Sequence, residues 1–267
     1  MRWHPGGVTA LDDVVADWQL RPDGDVHRAG RATVLPVRSD GTPAVLKLGG
    51  AEQAHLVLRR WNGDGAARLL RADPHRGALL LERLHRTSLE SLPDAAACEV
   101  VAGLFRSLHI PALPQLCSLP TVLGDWAGML ASLPNSAPLP RRLVEQAAAL
   151  CRDLAAEPAE SVLHGNLHYG NVLAADREPW LTISPDPVNG DPAYDIAPML
   201  WHRWGDIAGS VRAGVQRRFY ALVDAAGHDE DRARAWTIVR IVHRATGVLD
   251  DADEVTKLIV LAKAVQD

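Results

Sequence analysis

Hydrophobic and polar positions change their period part-way along the chain. Between residues 24 and 48 apolar side chains come in short β-rich runs, Thr33-Val-Leu-Pro-Val37 and Pro43-Ala-Val-Leu-Lys-Leu48, on either side of Arg38-Ser-Asp-Gly41. Asp-Gly between two such runs predicts a hairpin, because a tight two-residue turn needs positive φ at its centre. Residues 51–61 predict a helix, with Leu56 and Arg60 one turn apart and Gly63-Asp64-Gly65 ending it. Arg68-Leu-Leu70 and Ala78-Leu-Leu-Leu-Glu-Arg-Leu84 predict two more strands around a turn at Asp73-Pro74-His75-Arg76-Gly77. Residues 1–84 therefore read as a small antiparallel sheet with one helix. Beyond them the apolar spacing is helical over 93–109 (Ala97, Val101, Leu104, Leu108), 140–155 (Leu143, Ala147, Leu150), 207–226, 229–247 and 252–266. A loop- and strand-rich stretch, 161–192, interrupts these helices, and the segment 110–120, with Pro111, Pro114 and Pro120, predicts a loop.

A β-rich lobe, 1–84, followed by a helical lobe, 85–267, is an α+β arrangement. Its junction falls at Glu82-Arg83-Leu84, and a cleft between two lobes is the default ligand site. Composition narrows the function classes. With 47% hydrophobic residues over 267 positions the chain is globular rather than disordered. A net charge of −5 without a basic block argues against a nucleic-acid partner. Cys98, Cys117 and Cys151 lack CxxC spacing, which argues against a disulfide framework or a structural zinc site. Met1-Arg-Trp-His-Pro5 does not read as a signal peptide and no apolar run approaches membrane-spanning length, so a cytoplasmic protein without a membrane partner is expected.

The most informative stretch is His164-Gly-Asn-Leu-His-Tyr-Gly-Asn171-Val-Leu173. It has the spacing of the phosphotransferase catalytic loop, H-G-D-x-x-x-x-N-x-L. Asp40-Gly-Thr-Pro-Ala-Val-Leu-Lys47, Leu58-Arg-Arg-Trp-Asn-Gly-Asp-Gly65, Arg68-Leu-Leu70, Leu79-Leu-Leu-Glu-Arg-Leu84 and Gly190-Asp-Pro-Ala-Tyr-Asp-Ile-Ala197 occur with it in order. On these motifs the chain resembles the aminoglycoside phosphotransferase family, nearest its streptomycin 6-kinase and hydroxyurea phosphotransferase branch. The resemblance implies a two-lobed, protein-kinase-like fold that uses ATP and Mg2+, with a small-molecule or peptide ligand in the cleft. It assigns Lys47 to the α/β-phosphates, the backbone around Glu82 and Leu84 to adenine, and Asn171 to a metal ion. The catalytic and metal loops would lie within 161–197. His164 would pack the catalytic loop, Asp195 would accept hydrogen bonds from its backbone, and His168 would be a polar loop residue.

Three positions depart from the family pattern. Asn166 stands where the catalytic aspartate is expected, and an amide can hydrogen-bond an acceptor but cannot take its proton. Ser184, in Ile183-Ser-Pro-Asp186, stands where the main metal-binding aspartate is expected; Asp186 lies two residues on and is the substitute carboxylate. The glutamate that would pair with the lysine falls on Ala54, and Glu52 points to another helix face. These departures lead first to a degenerate phosphotransferase or pseudokinase that binds a small molecule, peptide or partner. The alternatives are an active ATP-dependent phosphotransferase acting on a hydroxyl of an antibiotic or related metabolite, and a kinase fold recruited for non-phosphoryl biosynthetic chemistry. In the active reading Asn171, Asp186 or Asp191 serve the metal, Asp186, Asp191 and Asp206 suit a cationic acceptor, and Trp201-His-Arg-Trp204 lies on a helix at the acceptor wall.

Overall fold

The computed structural model describes residues 6–266; the reading of Met1–Pro5 lies outside them. The chain divides into two compact units: residues up to Arg86 together with Leu173–Asp186, and Thr87–Val172 together with Pro187 onward.

The first unit opens with α1 (Gly6–Asp17), followed by β1 (Arg21–Pro22), β2 (His27–Ala29), β3 (Ala32–Ser39), β4 (Thr42–Leu48), α2 (Ala54–Trp61), β5 (Leu69–Asp73) and β6 (Ala78–Glu82). The strands form one antiparallel sheet in the order β1-β3-β4-β6-β5, with β2 paired to β3. The β3–β4 hairpin turns at Asp40 and Gly41, with φ of 49° and 80°, so both central residues take the left-handed conformation the tight turn demands. On β4, side chains alternate between faces. Ala44 and Leu46, with Leu48 partly buried, pack with Leu35, Val37, Leu80 and the α1 residues Leu11 and Val14. Lys47 therefore projects from the opposite face. α1 corrects the expectation of a single helix in this part of the chain. α2 begins at Ala54 rather than at residue 51, and its left-handed cap is Asn62 (φ 49°) rather than the glycines after it.

The second unit is mainly helical: α3 (Asp94–Leu108), α4 (Leu119–Ser132), α5 (Arg141–Leu154), then β7 (Ser161–Leu163). β8 (Val172–Ala174) and β9 (Trp180–Thr182), which apart from Val172 belong to the first unit, pair with each other, and β10 (Val188–Gly190) pairs with β7 in the second. α6 (Ala197–Trp201), α7 (Val211–Ala226), α8 (Glu230–Thr246) and α9 (Ala252–Gln266) complete it. α4 was not expected. It starts within the proline-bearing segment because Pro120 sits in its first turn, where no backbone donor is needed. Its apolar stripe is Leu119, Leu123, Ala127 and Leu130. α8 starts on an Asp229 side-chain cap, with Glu230 and Asp231 in its first turn and Arg244 in its last, charges favourable to the helix dipole. None of the described helices is long and apolar enough to cross a membrane.

Candidate functional site

In the first unit, Lys47 is 8% exposed and its Nζ donates to Ser184 Oγ at 3.0 Å. Burial lowers the lysine pKa, and the charge of Asp186 opposes that shift. Ser184 is delivered by the strand before it. Thr182 donates its N–H and its hydroxyl to Gly65 O (2.9 and 3.0 Å), and Ala67 donates its N–H to Thr182 O. This stitches the segment to the turn after α2. Ser184 has φ 57°, a left-handed conformation unusual for a residue other than glycine, which swings its side chain onto the lysine. Ala54 is buried at the start of α2 and Glu52 lies exposed before the helix. The acid whose charge acts on Lys47 is Asp186.

Glu82, at the end of β6, donates its backbone N–H to Arg68 O. Its carboxylate accepts from Arg68 N at 2.7 Å and pairs with Arg177 at 2.7 Å. Leu84, two residues on, is half-buried, and its backbone groups take no partner among the described residues.

In the second unit, the segment after β7 is held almost entirely through its backbone. Asp195 is fully buried; its two oxygens accept from His164 N and Gly165 N, both at 2.8 Å, and His109 Nε2 lies 3.2 Å away. Burial alone would raise this carboxyl's pKa, but the His109 contact and the nearby charge of Arg240 prevail and hold it below the usual carboxylate range. Gly165 has φ 74°, the left-handed conformation that lets successive N–H groups face one carboxylate. Arg240, on α8, donates to Gly165 O at 2.7 Å and to Tyr194 O at 2.8 Å, with its guanidinium 3.8 Å above the Tyr194 ring. Asn166 donates its N–H to the buried His164 Nδ1 (3.3 Å), and its C=O accepts from Asn171 Nδ2 (2.8 Å). The Asn166 carboxamide is half-buried and has no hydrogen-bond partner among the described residues.

His168 does more than occupy the loop. Its Nδ1 accepts from Gly170 N at 3.2 Å, and its ring stacks on His202, centroids 3.6 Å apart. Burial pushes the pKa of His168 to about 3 and that of His202 to about 4, so both are neutral near pH 7. Tyr169 donates its hydroxyl to Asp94, which also accepts from the buried Arg218. Arg218 in turn binds the carbonyls of His202 and Arg203. The 201–204 run is thus not one helix: α6 ends at Trp201 and Arg203 is left-handed at φ 53°.

Two acids named for metal or acceptor are otherwise engaged. Asp191 caps Ala193 N at 2.7 Å and pairs with Arg232, and Asp206 pairs with Arg203. Ser184 meets Lys47 rather than standing open as a ligand. Among the described residues no group of three or more His, Cys, Asp or Glu could hold a metal ion.

Motif reading missed Arg240, Arg218 and Asp94, which lie on helices far from the loop in sequence, and His109, just past the end of α3. Arg240 carried a signal all the same. It sits among the buried Ile238, Val239, Ile241 and Val242, where a guanidinium must find acceptors.

Residues 17–252 match the model of a family described as aminoglycoside/hydroxyurea antibiotic resistance kinase. The chain is 41% identical to the streptomycin 6-kinase of Streptomyces glaucescens, over 93% of this chain and 85% of that protein. It is 40% identical to the hydroxyurea phosphotransferase of Kitasatospora aureofaciens, over 93% of this chain and 74% of that one. Among solved structures it is similar to a thermostable mutant of the aminoglycoside phosphotransferase APH(4)-Ia in ternary complex with ADP and hygromycin B. The TM-score is 0.65 at 14% identity, over 96% of this chain and 97% of the other. A choline/ethanolamine kinase family protein from Mesorhizobium loti gives a TM-score of 0.63 at 18% identity, over 97% and 95%. At these identities the structural likeness establishes the fold, an α+β protein-kinase-like one.

Proposed function

Since this chain belongs to the aminoglycoside/hydroxyurea antibiotic resistance kinase family, we propose that it transfers the γ-phosphoryl group of ATP to a hydroxyl of an antibiotic or related metabolite, more slowly than a chain with both catalytic carboxylates. The observation that carries this reading is Lys47, a buried lysine on a strand of the small sheet, facing the segment that holds Ser184 and Asp186. A phosphotransferase mainly positions the triphosphate and offsets its charge. Lys47 would bind the α/β-phosphates, and the uncommitted backbone at Leu84, beside Glu82, would take adenine.

Mg2+ accepts oxygen donors and is commonly held by one or two carboxylates, with phosphate oxygens and water completing its shell. The Asp186 carboxylate in the first unit and the Asn171 amide oxygen in the second are each an oxygen donor of that kind. Ser184, neutral and bonded to Lys47, fits poorly. When bound, the ion would neutralise charge on the phosphates. Asn166 would orient the acceptor oxygen without removing its proton.

Relatives near 40% identity whose names are those of phosphotransferases support this reading over the non-catalytic one to which Asn166 and Ser184 first pointed. Two experiments test it. Calorimetric titration with ATP should give micromolar binding that tightens with Mg2+. The double variant Asn166→Asp, Ser184→Asp should raise transfer by about 10²–10⁴-fold, the usual contribution of a general base. No ATP binding under either condition, together with no gain from the double variant, would sink the reading.

A further inference from the structure

The contact between Lys47 and Ser184 lies wholly within the first unit. Lys47 is buried on β4, and Ser184, half-buried, meets its Nζ at 3.0 Å from a left-handed backbone with φ 57°. That backbone is costly for a residue with a Cβ, and residues held in it cluster at functional sites. Ser184 Oγ accepts from the ammonium, while its own proton has no acceptor among the described residues. The other hydroxyl of the segment is spent: Thr182 is buried and donates to Gly65 O. Beside the ammonium, α2 offers the apolar Ala54 where a carboxylate is expected, and the charge that acts on Lys47 is that of the exposed Asp186. Glycine keeps one flank of the lysine clear. Gly50 has φ 100°, and a Cβ there would stand 3.3 Å from Lys47 Cε and 3.5 Å from Nζ. A side chain at 50 would crowd an ammonium that a phosphate has to reach.

Resting on the phosphotransferase reading, we propose that Ser184 is itself a phosphoryl acceptor, a self-phosphorylation site that takes the γ-phosphoryl group of a bound nucleoside triphosphate. A phosphate oxygen on an ammonium sits about 2.8 Å from the nitrogen. Phosphorus held on Lys47 therefore comes within reach of a hydroxyl 3.0 Å from the same Nζ, and transfer needs the reacting atoms about 3–3.5 Å apart. A new bond forms between Ser184 Oγ and the γ-phosphorus as the bond to the β,γ-bridging oxygen breaks, and the nucleoside diphosphate leaves with that electron pair. The hydroxyl proton passes to an oxygen of the transferred group, so the step consumes no protein base; a loose transition state asks little of its nucleophile. Lys47 stays an ammonium throughout and offsets the charge on the phosphates. Phosphorylation replaces a neutral hydroxyl with three acceptor oxygens and a charge of about −1.5 to −2. Those oxygens pair with Lys47 and give Mg2+ the hard anionic donor that serine lacks, two residues from the Asp186 carboxylate. Self-phosphorylation thus primes the chain by placing an anion at 184.

The test incubates the full chain with ATP and Mg2+, without any small-molecule acceptor, and follows intact mass and the fragmentation of its peptides. The chain should gain one phosphoryl group, located on Ser184, at a first-order rate independent of protein concentration. Ser184→Gly suits the left-handed backbone and removes the hydroxyl, and should gain none. Lys47→Met should slow the gain by about 10²–10³-fold, as loss of one charge-stabilising donor does, whereas a contaminating kinase would act on both proteins alike. Titrated calorimetrically with Mg2+ alone, the phosphorylated chain should bind at least about tenfold more tightly than the untreated one, since affinity rises with ligand charge. No gain at Ser184 in a sample that binds ATP, or a gain that persists in Ser184→Gly, would overturn the assignment and leave the phosphotransferase reading in place. Unchanged Mg2+ affinity after phosphorylation would overturn the priming role. No ATP binding, together with no transfer by the Asn166→Asp, Ser184→Asp protein, would overturn phosphotransfer itself and the assignment with it.

Discussion

Asp195 is fully buried, and its charge survives there because two backbone N–H groups and His109 solvate it in place of water. An amide offers one acceptor oxygen where a carboxylate offers two, so Asp195→Asn leaves His164 N or Gly165 N facing an NH2 group. The expected cost is about 3 kcal/mol, read from the urea midpoint, with transfer falling in parallel because the Asn166 backbone loses its anchor. An unchanged midpoint would mean that the loop is held by its other bonds alone. At this scale the candidate site was half legible. Asn166 and Asn171 followed from the spacing of a single ten-residue motif. The Lys47–Ser184 hydrogen bond did not, because it joins residues 137 apart and depends on the left-handed backbone at Ser184. The strand leading into it is anchored by the pairing of Thr182 with Gly65.

α8 acts on the loop through Arg240, whose two backbone acceptors lie in different segments. Arg240→Met removes both donors and leaves the carbonyls of Gly165 and Tyr194 short of a partner, which should cost about 2–4 kcal/mol. Arg240→Lys can remake one of these bonds but not the forked pair, and should recover part of the stability and little of the kcat. Equal kcat in wild type and both variants would show that α8 contributes packing only. Elements with strong period and clear ends were readable from sequence: the β3–β4 hairpin at Asp40-Gly41, α3, α5, α8 and α9. α4 was lost because Pro111, Pro114 and Pro120 cluster at its start and Gly124 and Gly128 dilute its propensity, although packing of Leu119, Leu123, Ala127 and Leu130 outweighs both. α1 was lost because two glycines open it and its apolar residues matter only against the face of β4 that they cover.

For the molecule as a whole, acid is the weak side. Burial lowers the pKa of His168, His202, His228 and His243. Unfolding therefore takes up protons between the native values, about 3 and about 4 for the first two, and the ordinary value near 6.5. In that window the unfolded state binds more protons, so stability rises with pH and levels off above about 6.5. Asp195 adds in the same direction. Its depressed native pKa contributes stability above the ordinary carboxylate range that is lost as pH falls through the native value. Guanidinium midpoints should be flat from pH 7 to 8 and decline steadily from about 6.5 to 4, with His202→Asn shallower than wild type; a flat curve down to pH 4 would contradict the burial of these rings. The α+β order and the loop motif were set by local sequence, because turn chemistry, apolar period and motif spacing act over a few residues. So was the absence of a carboxylate at 166 and 184. Only the tertiary structure decided that 173–186 belongs with the small sheet, that Ser184 meets Lys47, that Asp191 and Asp206 are spent on arginines, and that Arg240 and Asp195 fix the backbone around Asn166. Such contacts join residues dozens of positions apart, and a buried charge chooses its partner by proximity in the fold rather than by any local pattern.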